Sequence, residues 1–198
     1  MTRVVHPIEQ ESYRILRSRV DLTHLPPLTR AVTERVVHAS ADLDYVTDLV
    51  CDEPALAGGL AALQAGAPIV TDVWMVAAGI TRAGREIVCP VAEPAAAELA
   101  RATGLTRSAA AVRVALDRVG PGAVWVVGCA PTALAELITV AAAPALVVGL
   151  PVGFVGAAES KAALRASGLP AVSNVGEKGG SAVAAAALNA LLYLEETP

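Results

Sequence analysis

Five short apolar runs, each followed by a segment with helical spacing, constrain the fold of this chain more than any other feature. The runs cover residues 67–71, 86–90, 123–128, 145–150 and 170–175. They are rich in Val, Ile and Ala and do not alternate with polar residues, which is typical of parallel strands buried on both faces. The sequence therefore predicts an α/β fold: a doubly wound, mostly parallel sheet of about five strands with helices on both faces.

Helices are predicted to precede this sheet. Apolar residues recur at helical spacing between Ile8 and Val20, and a Pro-Pro pair separates them from a second helix over residues 28–39. A third helix begins at the acidic residues and proline of 52–54 and ends near Gly66. Because no linker or change in composition divides the 198 residues, we expect a single domain, 1–198.

Composition and charge argue against several classes of protein. Hydrophobic residues make up 55% of the chain, but the longest apolar stretch, 130–151, is interrupted by two prolines, Glu136 and Gly149. A membrane-spanning helix needs about 20 uninterrupted apolar residues, so we expect a soluble protein with no membrane partner. A net charge of -4 and an aromatic content of 3% argue against a nucleic-acid partner.

The cysteines and the start of the chain indicate the compartment. Cys51, Cys89 and Cys129 do not have the spacing of metal ligands, and residues near Met1 do not form a signal peptide. We therefore expect a cytoplasmic protein with no metal site.

The segment 150–161 is the strongest candidate for a ligand-binding turn, because an apolar strand ends there in a Gly/Pro turn and a helix begins at once. Gly153 and Gly156 would let backbone N–H groups approach a ligand closely. The segments 128–133 and 175–181 follow strands in a similar way. Lys178 in the last segment precedes its Gly-Gly pair, which is not the order of a phosphate-binding P-loop, and it is either an anion ligand or a solvated lysine.

Three further side chains are candidates for chemistry. His38 lies three positions after Arg35 on one helix face, so it is a candidate proton donor and acceptor; the alternative is a histidine that caps its helix. Cys129 lies between a strand and a helix, where the helix dipole would lower its pKa; the alternative is an inert thiol. Arg107 follows Thr106, and the pair is either an anion clamp or a plain capped helix.

Taken together, ordered motifs along nearly the whole chain resemble the precorrin-8X methylmutase family, which includes the cobalt-precorrin-8 methylmutases. The most specific motif is residues 149–161. The others are residues 8–12 with Arg17, 36–39, 66–72, 75–76 with 79–82, 106–109, 130–134 and 179–182.

This resemblance implies an isomerase of cobalamin biosynthesis that moves a methyl group from C11 to C12 of a corrin precursor without any cofactor. It places the active-site histidine on His38. It places residues that bind the acetate and propionate groups of the macrocycle on Ser12, Arg35, Thr81 and Arg107, and the matching turns add Cys129, Gly153 and Lys178 as substrate contacts. Cys129 stands where the family commonly has asparagine, which removes an amide from the turn.

The partner implied by the resemblance is a polycarboxylate corrin precursor, either metal-free precorrin-8X or its cobalt form, bound by a homodimer. The Ala-rich segment 182–192 predicts a helix that packs closely either on the sheet or on a second subunit. Two alternatives stay open. One is a corrinoid-binding carrier or scaffold without turnover, and the other is an unrelated α/β enzyme that acts on a small phosphorylated metabolite.

Overall fold

The computed structural model describes residues 6–140 and 142–195. Its helices in chain order are α1 (Pro7–Arg19), α2 (Pro27–Ser40), α3 (Tyr45–Asp48), α4 (Glu53–Gln64), α5 (Trp74–Gly79), α6 (Pro94–Thr103), α7 (Arg107–Val119), α8 (Pro131–Thr139), α9 (Ala157–Ala166) and α10 (Ser181–Glu195). Its strands are β1 (Leu49–Cys51), β2 (Ile69–Thr71), β3 (Ile87–Val88), β4 (Val124–Val127), β5 (Leu146–Gly149) and β6 (Ala171–Asn174). A 3-10 turn covers Pro90–Ala92.

The strands form one sheet in the order β1-β6-β5-β4-β2-β3. Strands β2 to β6 are parallel, with Trp125 of β4 paired to Val70 of β2 on one side and to Val147 of β5 on the other. After β2 the chain first adds β3 on one side, and then adds β4, β5 and β6 on the other. The predicted doubly wound sheet is thus confirmed, with its topological switch point between β2 and β4.

The sheet has one strand more than predicted in the described residues. Strand β1 is three residues long and pairs antiparallel with β6, so that Leu49 lies opposite Asn174 and Cys51 opposite Val172. A run of three residues carries too little pattern to be told from a turn, and only its pairing to a distant strand defines it. The five predicted strands are all present as β2 to β6.

Each face of the sheet has its own core. Val124 and Val126 of β4 point to one face, where α4 and α10 lie on the sheet and α2 packs on the outside of α10. Trp125 and Val127 point to the other face, which α7, α8 and α9 cover. The predicted helices on both faces are confirmed, and the amino-terminal pair α1 and α2 forms an outer layer over α10.

Helix α10 packs closely on the end of β4 and on α5 because small residues meet there. A Cβ atom on Gly128 would lie 2.8 Å from that of Ala184, and one on Gly79 would lie 2.7 Å from that of Ala185. The alanines of this helix from Ala184 to Ala187 are buried within the chain itself. Of the two roles predicted for the Ala-rich segment, the structure therefore shows the packing on the sheet. None of the helices in the described residues is both long and apolar enough to span a membrane.

Candidate active site

His38 lies in the last turn of α2 and faces α1. Its Nδ1 atom is 2.8 Å from the hydroxyl of Ser12, and the ring of Tyr13 stacks on the imidazole with centroids 4.8 Å apart and planes 11° apart. The last turn of α2 is closed by the backbone, since the N–H of Ala41 donates to the carbonyl of Val37. The contacts with Ser12 and Tyr13 direct the imidazole toward α1, and the alternative of a histidine that caps its helix stays a prediction.

A small cavity of about 110 Å³ opens beside the imidazole. Its walls come from α1, from α2 and from the turn that follows α2. Ser12, Ile15 and Leu16 recur at helical spacing and line the α1 wall. The lining residues are Ser12, Ile15, Leu16, Arg19, Val37, His38, Ala41 and Leu43.

Arg35, one turn before His38, is the most highly contacted cation near this histidine. Its Nη1 atom donates to Glu9 Oε1 at 2.6 Å and to the hydroxyl of Tyr13 at 3.2 Å. Its Nη2 atom donates to the hydroxyl of Tyr193 at 2.9 Å, and the guanidinium carbon lies 4.5 Å from the centre of that ring. Two tyrosines and one carboxylate thus hold a fork of donors whose geometry suits carboxylates.

Thr81 reaches the same tyrosine from the segment after α5. Its hydroxyl is 2.8 Å from the hydroxyl of Tyr193, and its N–H donates to Asn189 Oδ1 at 3.1 Å. Asn189 in turn donates to the carbonyl of Gly79 at 2.8 Å, so α10 fixes the end of α5. We call the set Ser12, Tyr13, Arg35, His38, Thr81 and Tyr193 the helix cluster.

The helix cluster borders a second and larger cavity of about 440 Å³ between α1, α2 and α10. This cavity is flanked by two arginine–carboxylate pairs, Arg35 with Glu9 at 2.6 Å and Arg17 with Glu34 at 2.7 Å. Its lining residues are Glu9, Gln10, Tyr13, Arg17, Ala31, Glu34, Arg35, Ala190, Tyr193 and Leu194.

The other predicted site residues lie at the carboxyl edge of the sheet, by which we mean the segments that follow β2, β4, β5 and β6 together with the start of α7, which lies beside the start of α8. Arg107 is exposed at the first position of α7. Thr106 caps that helix, because its hydroxyl accepts the N–H of Ala109 at 3.2 Å. The same hydroxyl is 2.8 Å from that of Thr132 at the start of α8. The predicted cap is confirmed, and the anion clamp stays a prediction.

Cys129 is exposed at the end of β4, but its thiol differs from the prediction. Burial, with a smaller contribution from the charge of Asp72, raises the pKa of Cys129. The expectation that the helix dipole would lower this pKa is therefore wrong: burial is the larger cause of the rise, and the carboxylate of Asp72 adds to it.

That carboxylate, Asp72, is a residue that the sequence analysis did not single out. It follows β2 and accepts the N–H groups of Gly128 at 3.1 Å, Cys129 at 2.8 Å and Ala130 at 2.7 Å. Burial raises the pKa of Asp72, while the three N–H donors act in the opposite direction. At this switch point the three N–H groups are therefore taken by the chain itself, and they give no support to the alternative of a phosphorylated metabolite.

Two loops complete the carboxyl edge: the β5–α9 loop (residues 150–156) and the β6–α10 loop (residues 175–180). The N–H of Gly153 donates to the carbonyl of Glu177 at 3.2 Å, so it joins the two loops. Phe154 is 91% exposed and therefore does not fill the core beneath this turn.

Lys178 is held by acidic side chains in the turn after α2. Its ammonium group lies 2.8 Å from Asp42 Oδ2 and also binds the carboxylate of Asp44. These two contacts raise the pKa of Lys178. The ammonium group of Lys178, which is predicted to bind substrate, thus already binds the carboxylates of Asp42 and Asp44.

The structure therefore brings Ser12, Arg35, His38 and Thr81 together and leaves Arg107, Cys129 and Gly153 at the carboxyl edge. Within the described residues no group of three or more His, Cys, Asp and Glu side chains is arranged to hold a metal ion. The helix cluster offers an imidazole that can exchange a proton beside a cavity, and an arginine and hydroxyls that can bind carboxylates.

Comparison with known proteins gives concordant results. Residues 7–194 match the family model described as precorrin-8X methylmutase. The chain is 41% identical to the precorrin-8X methylmutase of Sinorhizobium sp over 93% of this chain and 92% of that protein. It is also 41% identical to the cobalt-precorrin-8 methylmutase of Salmonella typhimurium, over 94% and 93% respectively. The solved structure of precorrin-8X methyl mutase from Thermus thermophilus superimposes with a TM-score of 0.88 at 40% identity, covering 95% of each chain.

Proposed function

The chain belongs to the precorrin-8X methylmutase family, and from this premise we propose that the helix cluster is its active site. Members of this family are methylmutases, which makes the protein an isomerase of cobalamin biosynthesis. One observation carries the assignment to this cluster. Ser12, Arg35, His38 and Thr81, which the resemblance selects from three separate segments, are linked through Tyr13 and Tyr193.

In the reaction implied by the family, the bond from the methyl carbon to C11 breaks and a bond to C12 forms within one molecule. No atoms are gained or lost and nothing is oxidised. The chemical demand is therefore a proton that localises charge on the conjugated macrocycle and a rigid pocket that favours the product isomer. A single acid meets this demand, and the proton that it lends is returned at the end.

We assign the proton transfer to His38. The hydrogen bond between its Nδ1 atom and Ser12, together with the stacked ring of Tyr13, fixes the plane of the imidazole. In this proposal the imidazole, held in this plane, exchanges its proton with a ring nitrogen or carbon of the macrocycle. Ser12 thus acts on the orientation of the imidazole.

Arg35 and Thr81 bind the carboxylates of the substrate in this proposal. The guanidinium of Arg35 is held on one side by Tyr13 and on the other by Tyr193, so it meets a ligand with little loss of conformational freedom. The net charge of -4 is no obstacle, because a polycarboxylate needs local donors and not a basic protein. Arg107, Cys129 and Gly153 form the second region of contact, on the carboxyl edge.

We also propose that the protein is a cytoplasmic homodimer, as the resemblance implies. Large apolar side chains on the carboxyl edge are exposed: Trp74 is 57% exposed, Met75 72% and Val155 88%. Such a surface supports the proposal that a second subunit covers it. The mass of the native particle, measured by light scattering after size-exclusion chromatography, tests the dimer. A monomer across the micromolar range would contradict it.

The experiment that tests the function is incubation of the purified protein with metal-free precorrin-8X and, separately, with cobalt-precorrin-8, while the visible spectrum is followed. We expect isomerisation of one of them. Equal identities of 41% to relatives with the two names leave the choice between the two substrates to this measurement. A ligand that binds with an unchanged spectrum and yields no product would indicate a non-catalytic corrinoid carrier.

A further inference from the structure

Lys161 is an ammonium group in the interior of the protein. It is one of two lysines in the chain, lies on α9 and has no exposed surface. Its Nζ atom donates to Asn174 Oδ1 at 3.0 Å and to the carbonyl of Lys178 at 2.5 Å. The side-chain amide of Asn174 donates to the same carbonyl at 2.9 Å. Lysine is almost never buried without specific acceptors. The carbonyl of Lys178 is therefore held in place by the hydrogen bonds from Lys161 and Asn174.

This carbonyl belongs to a loop that is joined to its neighbour. The N–H of Gly180 donates to the carbonyl of Leu150 at 2.9 Å, and that of Gly153 donates to the carbonyl of Glu177 at 3.2 Å. A Cβ on Gly179 would lie 2.3 Å from the carbonyl oxygen of Leu150, so the two backbones meet at a distance that only glycine permits. The β5–α9 and β6–α10 loops therefore form one unit, and Lys161 fastens it to α9.

The side chain of Lys178 carries this connection to the helix cluster. It binds Asp42 and Asp44 in the α2–α3 loop (residues 41–44). Two other residues of that loop, Ala41 and Leu43, line the cavity beside His38. A continuous set of contacts thus runs from the interior of α9 to the wall of the cavity beside the imidazole.

We propose that Lys161 is a positioning residue for the helix cluster: by holding the carbonyl of Lys178, it keeps the ammonium of Lys178 against the α2–α3 loop and so fixes one wall of the His38 cavity. The effect on turnover rests on the proposed function, whereas the effect on the loop does not. Because Asp42 and Asp44 are partly exposed, the ion pair that each forms with Lys178 is weak. We therefore expect loss of the Lys161 side chain to raise KM by about 3- to 10-fold.

The inference differs in a measurable way from direct contact between Lys178 and the substrate. If the ammonium group binds substrate, removing its two carboxylate partners frees it and lowers KM. If it serves to hold the α2–α3 loop, the same removal raises KM. The variant Asp42→Asn with Asp44→Asn therefore separates the two roles of Lys178.

The test compares Lys161→Met, Lys178→Met and the Asp42→Asn/Asp44→Asn variant with Arg165→Gln as the matched control. Arg165 lies one turn after Lys161 and donates to Ser173 and to the carbonyl of Asn174, but not directly to the carbonyl of Lys178. The first measurement is hydrogen exchange by mass spectrometry over residues 41–44 and 175–180. The second is KM and kcat for precorrin-8X or its cobalt form.

We expect Lys161→Met to speed exchange in both segments and to raise KM, with kcat changed less. We expect Lys178→Met and the double aspartate variant to speed exchange over 41–44 and raise KM, and Arg165→Gln to leave exchange over 41–44 as in the wild type. Unchanged exchange over 41–44 in Lys161→Met, or a lower KM in the aspartate variant, would overturn the proposal. Should Lys161→Met not fold, the Lys178→Met and Asp42→Asn/Asp44→Asn variants still test whether Lys178 holds the α2–α3 loop. A wild type without turnover would remove the proposed function, while the exchange data would still test the positioning.

Discussion

The helix cluster and the carboxyl edge of the sheet satisfy their polar groups in opposite ways. At the carboxyl edge, backbone groups bind the chain itself: Asp72 accepts hydrogen bonds from three N–H groups, and the N–H of Gly180 donates to the carbonyl of Leu150. In the helix cluster, side chains bind side chains that are only partly buried, as in the pair of Arg35 and Glu9. Backbone contacts cannot be exchanged without unfolding a loop, whereas side-chain contacts can be exchanged for those of a ligand.

This difference suggests a division of labour. The carboxyl edge is where ligands bind in most open α/β folds, yet here Asp72 fills the donors of the switch point. We therefore assign the chemistry to the helix cluster, whose helices α1 and α2 lie in the outer layer of the same molecule. We therefore expect substitutions in the helix cluster to change turnover or affinity, and substitution of a residue that satisfies backbone groups at the carboxyl edge, such as Asp72, to change stability.

The largest effect is expected for His38→Ala. Removing a general acid lowers kcat by about 10²- to 10⁴-fold, and the half-buried ring contributes little to the core. The measurement is the rate of the visible spectral change with precorrin-8X, together with the thermal midpoint. His24→Ala is the control, because His24 is exposed in the turn between α1 and α2. Wild-type turnover in His38→Ala would place the chemistry elsewhere.

Asp72→Ala is expected to lower stability, in contrast with His38→Ala, which is expected to lower turnover. The N–H groups of Gly128, Cys129 and Ala130 lose their acceptor, the first in a buried hydrogen bond and the other two in partly buried ones, and this costs about 3 kcal/mol of unfolding free energy. Urea unfolding checks this value, with the exposed Asp117→Ala on α7 as a control expected to lie within about 0.5 kcal/mol of the wild type. If the stability of Asp72→Ala were unchanged and only turnover fell, the distinction between the two regions would not hold.

The buried Lys161 is expected to make the free energy of unfolding depend on pH. Burial lowers the pKa of Lys161 to about 8; Arg165 adds to this effect, whereas Asp48 and Glu177 oppose it. Between pH 8 and about 10.5 the unfolded chain retains a proton on Lys161 that the folded chain has lost, so the contribution of Lys161 to the stability of the wild type rises with pH. We expect Lys161→Met to lack this rise, which amounts to about 2–3 kcal/mol.

The measurement for Lys161 is urea unfolding at several values between pH 7.5 and 10. Lys178→Met is the control, because its ion pairs raise the pKa of Lys178 and move its own titration above this window. The same slope in wild type and Lys161→Met would show that the buried amine keeps its ordinary pKa.

The sequence predicted the sheet well because the signals for it are local. A buried parallel strand such as β4 is a continuous run of apolar residues, and a turn with Gly or Pro marks its end. Strand β1 was missed because three edge residues carry no such run. Asp72 was not selected, because its carboxylate binds the N–H groups of residues more than fifty positions away, which no local pattern indicates.

The helix cluster could not be derived from local pattern. The sequence placed Arg35 and His38 on one helix face, and the resemblance added Ser12 and Thr81. Neither indicated the tyrosines that join them. Arg35 and Tyr193 are separated by 158 positions, and an aromatic residue near the end of an apolar helix gives no local sign of a polar partner. A search for tyrosines in otherwise apolar helix faces is the one signal that would have selected Tyr193.

Tyr193→Phe is the smallest effect that we predict, and it tests the link between the two parts of the helix cluster. The change keeps the ring under the Arg35 guanidinium but removes the hydroxyl that contacts both Arg35 and Thr81. Loss of one or two such hydrogen bonds costs about 1 kcal/mol, or about 5-fold in KM, with kcat nearly unchanged because His38 keeps its own contacts to α1. Tyr45→Phe, on a tyrosine buried in α3, is the matched control for loss of a phenol. An equal fall in kcat for Tyr193→Phe would mean that the hydroxyl acts in the transition state, and the helix cluster would then extend its chemistry, and not only its binding, to α10.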